Sequence, residues 1–247
     1  MNWRGQLARA WHITAKDMRA YYLKPPLISW GMLFPAVLIL AFYLRDPGDI
    51  RAAIPGLIGM TVLFGATSVE AVAIAFEKRI GAMERLLMAP IAPYTLVIAK
   101  MTSGTLFGLA SGCVAWLVAG AAWDTPLTLS AWPILLLGSL AFSLMGVSLS
   151  LLMREVFDAM TLTNFFRFPM VFLCGVFVPL GEMTPVLRGV ASALPLTYTV
   201  DGLRHVLLAS TGAYYPLWLD MAAAAGFAVA LYAVTLGLLK QRLEELL

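Results

Sequence analysis

The chain has 247 residues, of which 61% are hydrophobic and 13% are charged, and its net charge is +3. An average soluble domain is about 25% charged, so this composition excludes an ordinary soluble protein. The Lys and Arg residues form no cluster on a soluble face, which excludes a basic surface for nucleic acid.

Six long apolar stretches fill most of the chain and predict six transmembrane helices. Each has about 18 residues or more, and a bilayer core of about 30 Å needs about 20 apolar residues of helix. Backbone groups at that depth find no water, so each stretch must be helical. The predicted spans are 27–44, 54–76, 101–123, 132–153, 159–179 and 217–239. We therefore predict an all-α membrane protein with a single transmembrane domain, 1–247.

The distribution of Lys and Arg predicts the orientation. Twelve of these residues lie before the first span, between spans two and three, after span four or after span six. Four lie on the opposite side. Because cytoplasmic loops carry the excess of positive charge, we expect both termini in the cytoplasm and the chain in the inner membrane.

Residues 1–26 form a predicted amphipathic helix before the first span. Aromatic and apolar residues recur on one face at helical spacing, with basic residues beside or opposite them. Such a helix is expected to lie in the cytoplasmic interface and to contact membrane lipid. The apolar face contains Trp3, Leu7, Trp11, Thr14, Met18 and Tyr22.

The cytoplasmic loop 77–100 contains a second short amphipathic helix. Met83, Leu86, Leu87 and Ile91 recur at helical spacing, and prolines follow them. A helix held between two spans could transmit force from a soluble partner. The alternative is a connector that lies on the lipid headgroups.

Residues 180–216, on the outer side, are too apolar for an exposed loop. Two helical patterns, 186–193 and 196–208, are too short to span a bilayer, and Pro195 lies at their junction. Irregular backbone at membrane depth is tolerated when protein buries it or when it lines a cavity. We therefore predict two short re-entrant helices before the last span.

These segments carry a resemblance to a known family. Gly175-Val-Phe-Val-Pro179 is similar to that family's exit from the fifth span, and Pro195-Leu-Thr-Tyr198 with Arg204 is similar to its signature near the last span. The loop resembles its coupling helix, with Glu77, Gly81, Glu84, Leu87 and Pro90 in the expected order. Over its full length the chain resembles the membrane subunit of an ABC-2 type exporter, the group that includes daunorubicin-resistance, lipo-oligosaccharide and O-antigen export permeases.

The resemblance implies a half-transporter without catalytic residues or metal ligands of its own. It implies pairing with a second permease subunit, as a homodimer or with a sister chain, and docking of two ABC ATPase subunits that bind ATP and Mg. None of the 20 glycines precedes a lysine, so the chain has no phosphate-binding Gly-x4-Gly-Lys loop. The implied ATPase contacts are Gly81, Met83, Glu84 and Leu87, and the implied gate residues are Pro179, Pro195, Tyr198 and Arg204.

Several intramembrane residues leave two interpretations open. Glu70 could border a translocation cavity together with Phe172 and Phe177, or pair with a nearby base. Arg167 could extend to the cytoplasmic headgroups or contact an anionic substrate. The small-residue ridge Gly104, Gly108 and Gly112 could pack within the subunit or form a dimer seam.

The sequence favours an exporter of a hydrophobic or amphipathic compound, either a drug or a lipid-like molecule. One alternative is a permease for a polysaccharide or glycolipid. A different class is an ion-coupled carrier or channel without an ATPase, which would need charged relays near the bilayer centre.

Overall fold

The computed structural model describes residues 3–24, 37, 40–41, 43–44, 50–89, 91–126, 128–153 and 155–244. Every regular element within these residues is helical, which confirms the all-α prediction for this part of the chain. The helices are α1 (Trp3–Asp17), α2 (Ile50–Arg79), α3 (Ala82–Met88), α4 (Pro93–Trp123), α5 (Ala131–Leu152), α6 (Val156–Leu173), α7 (Pro185–Ser192), α8 (Pro195–Leu207) and α9 (Leu217–Glu244). A π-helical turn, Met18–Tyr22, continues α1.

Four of the described helices are long and apolar enough to cross a membrane. They are α2, α4, α5 and α9, with 30, 31, 22 and 28 residues. Each exceeds the length of about 20 residues that a bilayer core requires. They correspond to the second, third, fourth and sixth predicted spans.

The first and fifth predicted spans do not correspond to a described helix that is long and apolar enough to cross a membrane. The first, 27–44, lies outside the described residues except for five positions. The fifth is α6, which has 18 residues and ends at Leu173, before the predicted end at residue 179. Residues 174–178 bend instead of continuing the helix. Six spans therefore remain a prediction.

The core of the molecule surrounds α2 and α5. In the most apolar stretches of these helices, 89% and 83% of residues are buried within the chain, against 44% in α4 and 22% in α9. Helix α2 packs against α4, α5, α6 and α8. A helix that is apolar on all sides is expected in such a central position. Helix α9 packs on α5, α8 and α4, and the described residues leave much of its remaining surface uncovered.

The ridge of small residues on α4 packs within this chain. Gly108 lies against Ala66 of α2, and Gly112 lies against Val62 of the same helix. The absence of side chains lets the two backbones approach closely. Of the two interpretations of this ridge, packing within the subunit is therefore the one that the structure supports.

We expect Gly108→Leu to destabilise the protein. A Cβ at position 108 would lie 2.8 Å from the Cβ of Ala66, so the larger side chain must push α4 away from α2. Overpacking of this kind costs about 1–3 kcal/mol. Thermal unfolding of the purified chain in detergent measures the effect. The matched control is Gly226→Leu on α9, where no atom lies within 4 Å of an added Cβ; equal unfolding temperatures for the two variants would contradict the packing.

The prolines predicted to divide residues 180–216 begin two helices. Pro185 and Pro195 occupy the first turns of α7 and α8, where a missing N–H costs nothing and a fixed φ favours the helix. Helix α7 is largely exposed, whereas α8 is buried among α2, α5 and α9. The two predicted helices are thus present, and their position in the membrane remains a prediction.

Candidate functional site

The two ends of the helical bundle carry the residues that the sequence singled out. The α1–α3 end contains α1, the last turns of α2, α3 and the start of α4. The α7–α8 end contains residues 174–216. We describe the α1–α3 end first.

Helix α3 is held by short connections between α2 and α4. Gly81 has φ 66°, a left-handed conformation that glycine adopts without strain, and it turns the chain from α2 into α3. Pro93 begins α4 only five residues after α3 ends at Met88. Short connections therefore hold both ends of α3 close to the two long helices.

One face of α3 is fixed to the rest of the chain. Met83 is 4% exposed and lies in an apolar cluster with Ala10 and Ile13 of α1, against which Leu87 is partly packed. Met83 was predicted to contact an ATPase, but its side chain is enclosed within this chain and anchors the helix. Glu84 is half-buried, and Met88 is exposed at the end of the helix.

Helix α1 packs on α4, a contact that the sequence did not predict. Trp3, Leu7 and Trp11 of the predicted apolar face are exposed. The buried face instead contains polar groups that bond to α4. Gln6 accepts a hydrogen bond from Thr95 Oγ1 at 2.8 Å, and Thr14 donates to the carbonyl of Ala99 at 3.0 Å. The exposed indole rings are thus free for contact with lipid, while α1 is attached to the bundle.

A buried cluster of four charged residues joins α1, α2 and α4. Lys100 Nζ lies 2.8 Å from Asp17 Oδ2 and 2.5 Å from Glu77 Oε2. Lys16 Nζ lies 2.8 Å from Asp17 Oδ1 and 2.5 Å from Glu77 Oε1. Lys100, Asp17 and Glu77 are almost fully buried, and Lys16 is half exposed. The two ammonium groups balance the two carboxylates, so the cluster has no net charge and bonds three helices together.

The charge of Lys16 is maintained by this cluster. Burial and the ammonium of Lys100 both lower the pKa of Lys16, but its hydrogen bonds to Asp17 and Glu77 outweigh them and leave that pKa raised. Lys16 therefore remains a cation at neutral pH and completes the pairing of both carboxylates.

Two further polar contacts extend the connection. The hydroxyl of Tyr22 donates to Glu70 Oε1 at 2.5 Å, and both side chains are buried. Lys78 Nζ donates to the carbonyls of Ser150, Leu151 and Met153 at 2.7–2.8 Å. These carbonyls belong to the end of α5, where a cation is favoured by the helix dipole. The end of α2 is thus attached to α5 as well.

The predicted cavity-lining residues do not lie at one level of the bundle. Gly56 of α2 contacts the backbone of Val176, next to Phe177. Glu70 is 14 residues further along α2, which is about 21 Å at 1.5 Å per residue. Glu70 is enclosed by protein and bonded to Tyr22, so its burial does not support a cavity-lining position. Phe172 is exposed, and its ring lies 5.6 Å from that of Phe177.

Arg167 does not extend to the cytoplasmic headgroups, which was one of its two interpretations. Its side chain is buried, and the guanidinium lies over the ring of Phe64 at 5.0 Å. It donates to Asn164 Oδ1 at 3.2 Å. An Arg that extended to the headgroups would be exposed at its tip. Arg167 instead uses a cation–π contact to hold α6 on α2.

At the α7–α8 end, the predicted gate residues bond to backbone groups. Arg204 donates to the carbonyl of Gly175 at 2.5 Å, where Gly175 has φ 82°. Tyr198 donates to the carbonyl of Ser192 at 2.7 Å, and this bond ties α8 to the end of α7. Pro179 precedes the short 3-10 turn Leu180–Glu182. The gate residues therefore fix the bend after α6 and the α7–α8 corner.

The comparisons with known proteins place this arrangement among transporters. The family model described as ABC-2 type transporter matches residues 9–208. Inner membrane transport permease YadH of Escherichia coli (strain K12) is 26% identical over 192 residues, which are 76% of this chain and 73% of that protein. Nodulation protein J of Neorhizobium galegae is 28% identical over 149 residues, 58% of this chain and 53% of that protein. The family match includes both ends of the bundle described above.

Proposed function

Because the chain belongs to the ABC-2 type transporter family, we propose that it exports a hydrophobic or amphipathic compound, a drug or a lipid-like molecule, across the cytoplasmic membrane. Membership of the family makes the chain a transmembrane subunit of an ABC transporter and a multi-pass membrane protein. It supports an ATPase-dependent transporter over the alternative of an ion-coupled carrier. The direction of transport and the substrate class are parts of the proposal.

The observation that carries the proposal is the attachment of α3 between α2 and α4. An ATPase subunit that pushes on α3 would act through Met83 on an apolar cluster shared with α1 and α4. The cluster of Lys16, Asp17, Glu77 and Lys100 would make the ends of α1, α2 and α4 move together. Two ATPase subunits, which hold ATP and Mg, would dock at the α1–α3 end of a permease pair.

The uncovered faces of α6 and α9 support pairing with a second copy and an apolar path. On α6, Phe165, Phe168 and Phe172 are exposed in the single chain. On α9, Trp218 and Val229 are each 70% exposed. Aromatic surface of this extent is suited to lipid, to a second subunit or to an apolar substrate. A polysaccharide path would require more polar groups than this face presents.

The orientation follows from the same arrangement. The basic α1–α3 end would face the cytoplasm, where an ATPase can reach it, and both termini would lie on that side. The α7–α8 end would then face outward and form the gate around Tyr198 and Arg204.

The proposal is tested by reconstitution. The purified chain in lipid nanodiscs is assayed for phosphate release from ATP, first alone and then with the ATPase subunit that co-purifies from native membranes. We expect activity only with both components, and export of a fluorescent amphipathic dye from loaded vesicles that depends on ATP. Substantial ATP hydrolysis by this chain alone would overturn the proposal that a separate subunit hydrolyses ATP.

The depth of α7 is tested by cysteine labelling. In a background without Cys113 and Cys174, we expect a membrane-impermeant thiol reagent to label Cys at Val190 several-fold more slowly than Cys at Asp124. Val190 is 47% and the Asp124 side chain 94% exposed in the chain, so a rate difference well beyond twofold indicates cover by lipid. Val200 is buried by protein and would be slow in either case. Equal rates at Val190 and Asp124 would exclude the re-entrant position.

A further inference from the structure

Three ligand-type side chains meet where α8 approaches α9. Asp201 and His205 are four residues apart and share one face of α8, and Asp220 lies in the first turn of α9. One oxygen or nitrogen from each lies within 4.8 Å of the others. The gate and coupling roles proposed above use neither His205 nor Asp220.

Asp220 provides an independent observation that points to a ligand. Its side chain is fully buried, and neither carboxylate oxygen has a hydrogen-bond partner among the described residues. An ionised carboxylate without partners in such a place is strongly disfavoured. The other carboxylate of the group, on Asp201, adds repulsion. A cation at this position would neutralise both.

The other two side chains are already oriented. Asp201 accepts hydrogen bonds from the backbone N–H groups of Tyr214 at 3.0 Å and Tyr215 at 2.8 Å. His205 Nε2 is bonded to the carbonyl oxygen of Tyr215. Because a carbonyl can only accept, Nε2 must donate. In the neutral imidazole Nδ1 then accepts a hydrogen bond from Ser210 Oγ at 2.8 Å, a bond that a metal ion on Nδ1 would replace. An imidazole that donates one nitrogen to a carbonyl is the usual arrangement of a metal-binding His.

We propose that Asp201, His205 and Asp220 bind a divalent transition-metal ion that joins α8 to α9. Imidazole favours zinc and its neighbours over magnesium and calcium, and two carboxylates balance the charge of the ion. Ligand atoms in a tetrahedral zinc site are about 3.3 Å apart, so small side-chain rotations would complete the site. No metal ligand was expected from the sequence, because the third ligand comes from a different helix.

The test uses the full chain, purified with an affinity tag that contains no histidine and stripped with a chelator. Zinc is titrated in competition with a fluorescent chelator, and bound zinc is counted by mass spectrometry. We expect a single saturable site, with zinc affinity about 100-fold lower in Asp220→Asn and in His205→Gln. Zinc should raise the thermal unfolding temperature of the unsubstituted chain and leave that of these variants unchanged.

The matched controls are His12→Gln, the other histidine, and Asp124→Asn, an exposed acid; both should bind zinc as the unsubstituted chain does. Failure of the unsubstituted chain to bind zinc, or equal binding by His205→Gln and His12→Gln, would overturn the proposal. If Asp220→Asn does not fold, His205→Gln decides, because His205 is only partly buried. If lower pH stabilises the unsubstituted chain but zinc does not, Asp220 is protonated rather than bound to a metal ion, which also overturns the proposal. Neither result bears on the proposed export function.

Discussion

Replacing Lys100 with methionine is expected to prevent the protein from folding stably. The ammonium of Lys100 is the buried cation between Asp17 and Glu77, and only the half-exposed Lys16 would remain to pair with both. Removing one member of a buried charged group costs about 3–5 kcal/mol, because the other charges stay buried without compensation. The measurement is the yield of monodisperse protein in detergent and its thermal unfolding temperature.

The control and the rescue distinguish charge from shape. Lys240→Met changes an exposed lysine of α9 and should leave stability nearly unchanged. The double variant Lys100→Met with Glu77→Gln removes one charge of each sign, so Asp17 and Lys16 remain as a pair, and much of the stability should return. If the single Lys100→Met variant is as stable as Lys240→Met, the cluster does not hold the three helices together.

Replacing Leu87 with aspartate is expected to abolish coupling to the ATPase. Leu87 and Glu84 lie three residues apart on one side of α3, and an apolar residue beside a charged rim is typical of an interface hot spot. Loss of such a contact costs about 2 kcal/mol or more, roughly 30-fold in affinity. Co-purification of the ATPase subunit and ATP-dependent export in vesicles measure the effect.

A folding control is needed because Leu87 is partly packed against the chain's own apolar cluster. The unfolding temperature of the Leu87→Asp chain alone should stay close to that of the unsubstituted protein. Ile80→Asp, an exposed aliphatic residue in the turn before α3, should assemble and transport normally. Normal assembly and turnover of a well-folded Leu87→Asp chain would mean that α3 is only a surface connector.

The long helices were predictable from the sequence because burial in a bilayer or core selects long apolar runs. Helices α2, α4, α5 and α9 all follow from this signal, and Pro185 and Pro195 predict the starts of α7 and α8 because proline has no N–H to donate. The predicted end of the fifth span was wrong, because apolar composition continues through residues 174–179 although the helix has ended and the chain bends there.

The charged cluster could not be predicted, because its members are far apart in sequence. Asp17 and Lys100 are separated by 83 positions, and no periodic pattern connects them. One local signal existed. Gln6 and Asp17 share a face of α1 with Ala10 and Ile13, and this mixed polar and apolar face is the buried one. The more conspicuous face with Trp3, Leu7 and Trp11 predicted an interfacial helix and gave no sign that α1 also packs on α4.

The position of Lys100 along the chain has a consequence for biosynthesis. Asp17, Glu70 and Glu77 all leave the ribosome before it, and Glu77 precedes it by 23 residues. At a synthesis rate of about 5–20 residues per second, Glu77 is added to the chain roughly 1–5 s before Lys100. During that interval the α1–α2 segment carries an acidic group that neither lipid nor the nascent helices can neutralise fully. Arrival of α4 therefore supplies the second ammonium of the cluster, and before it only Lys16 among the cluster residues can pair with the two carboxylates.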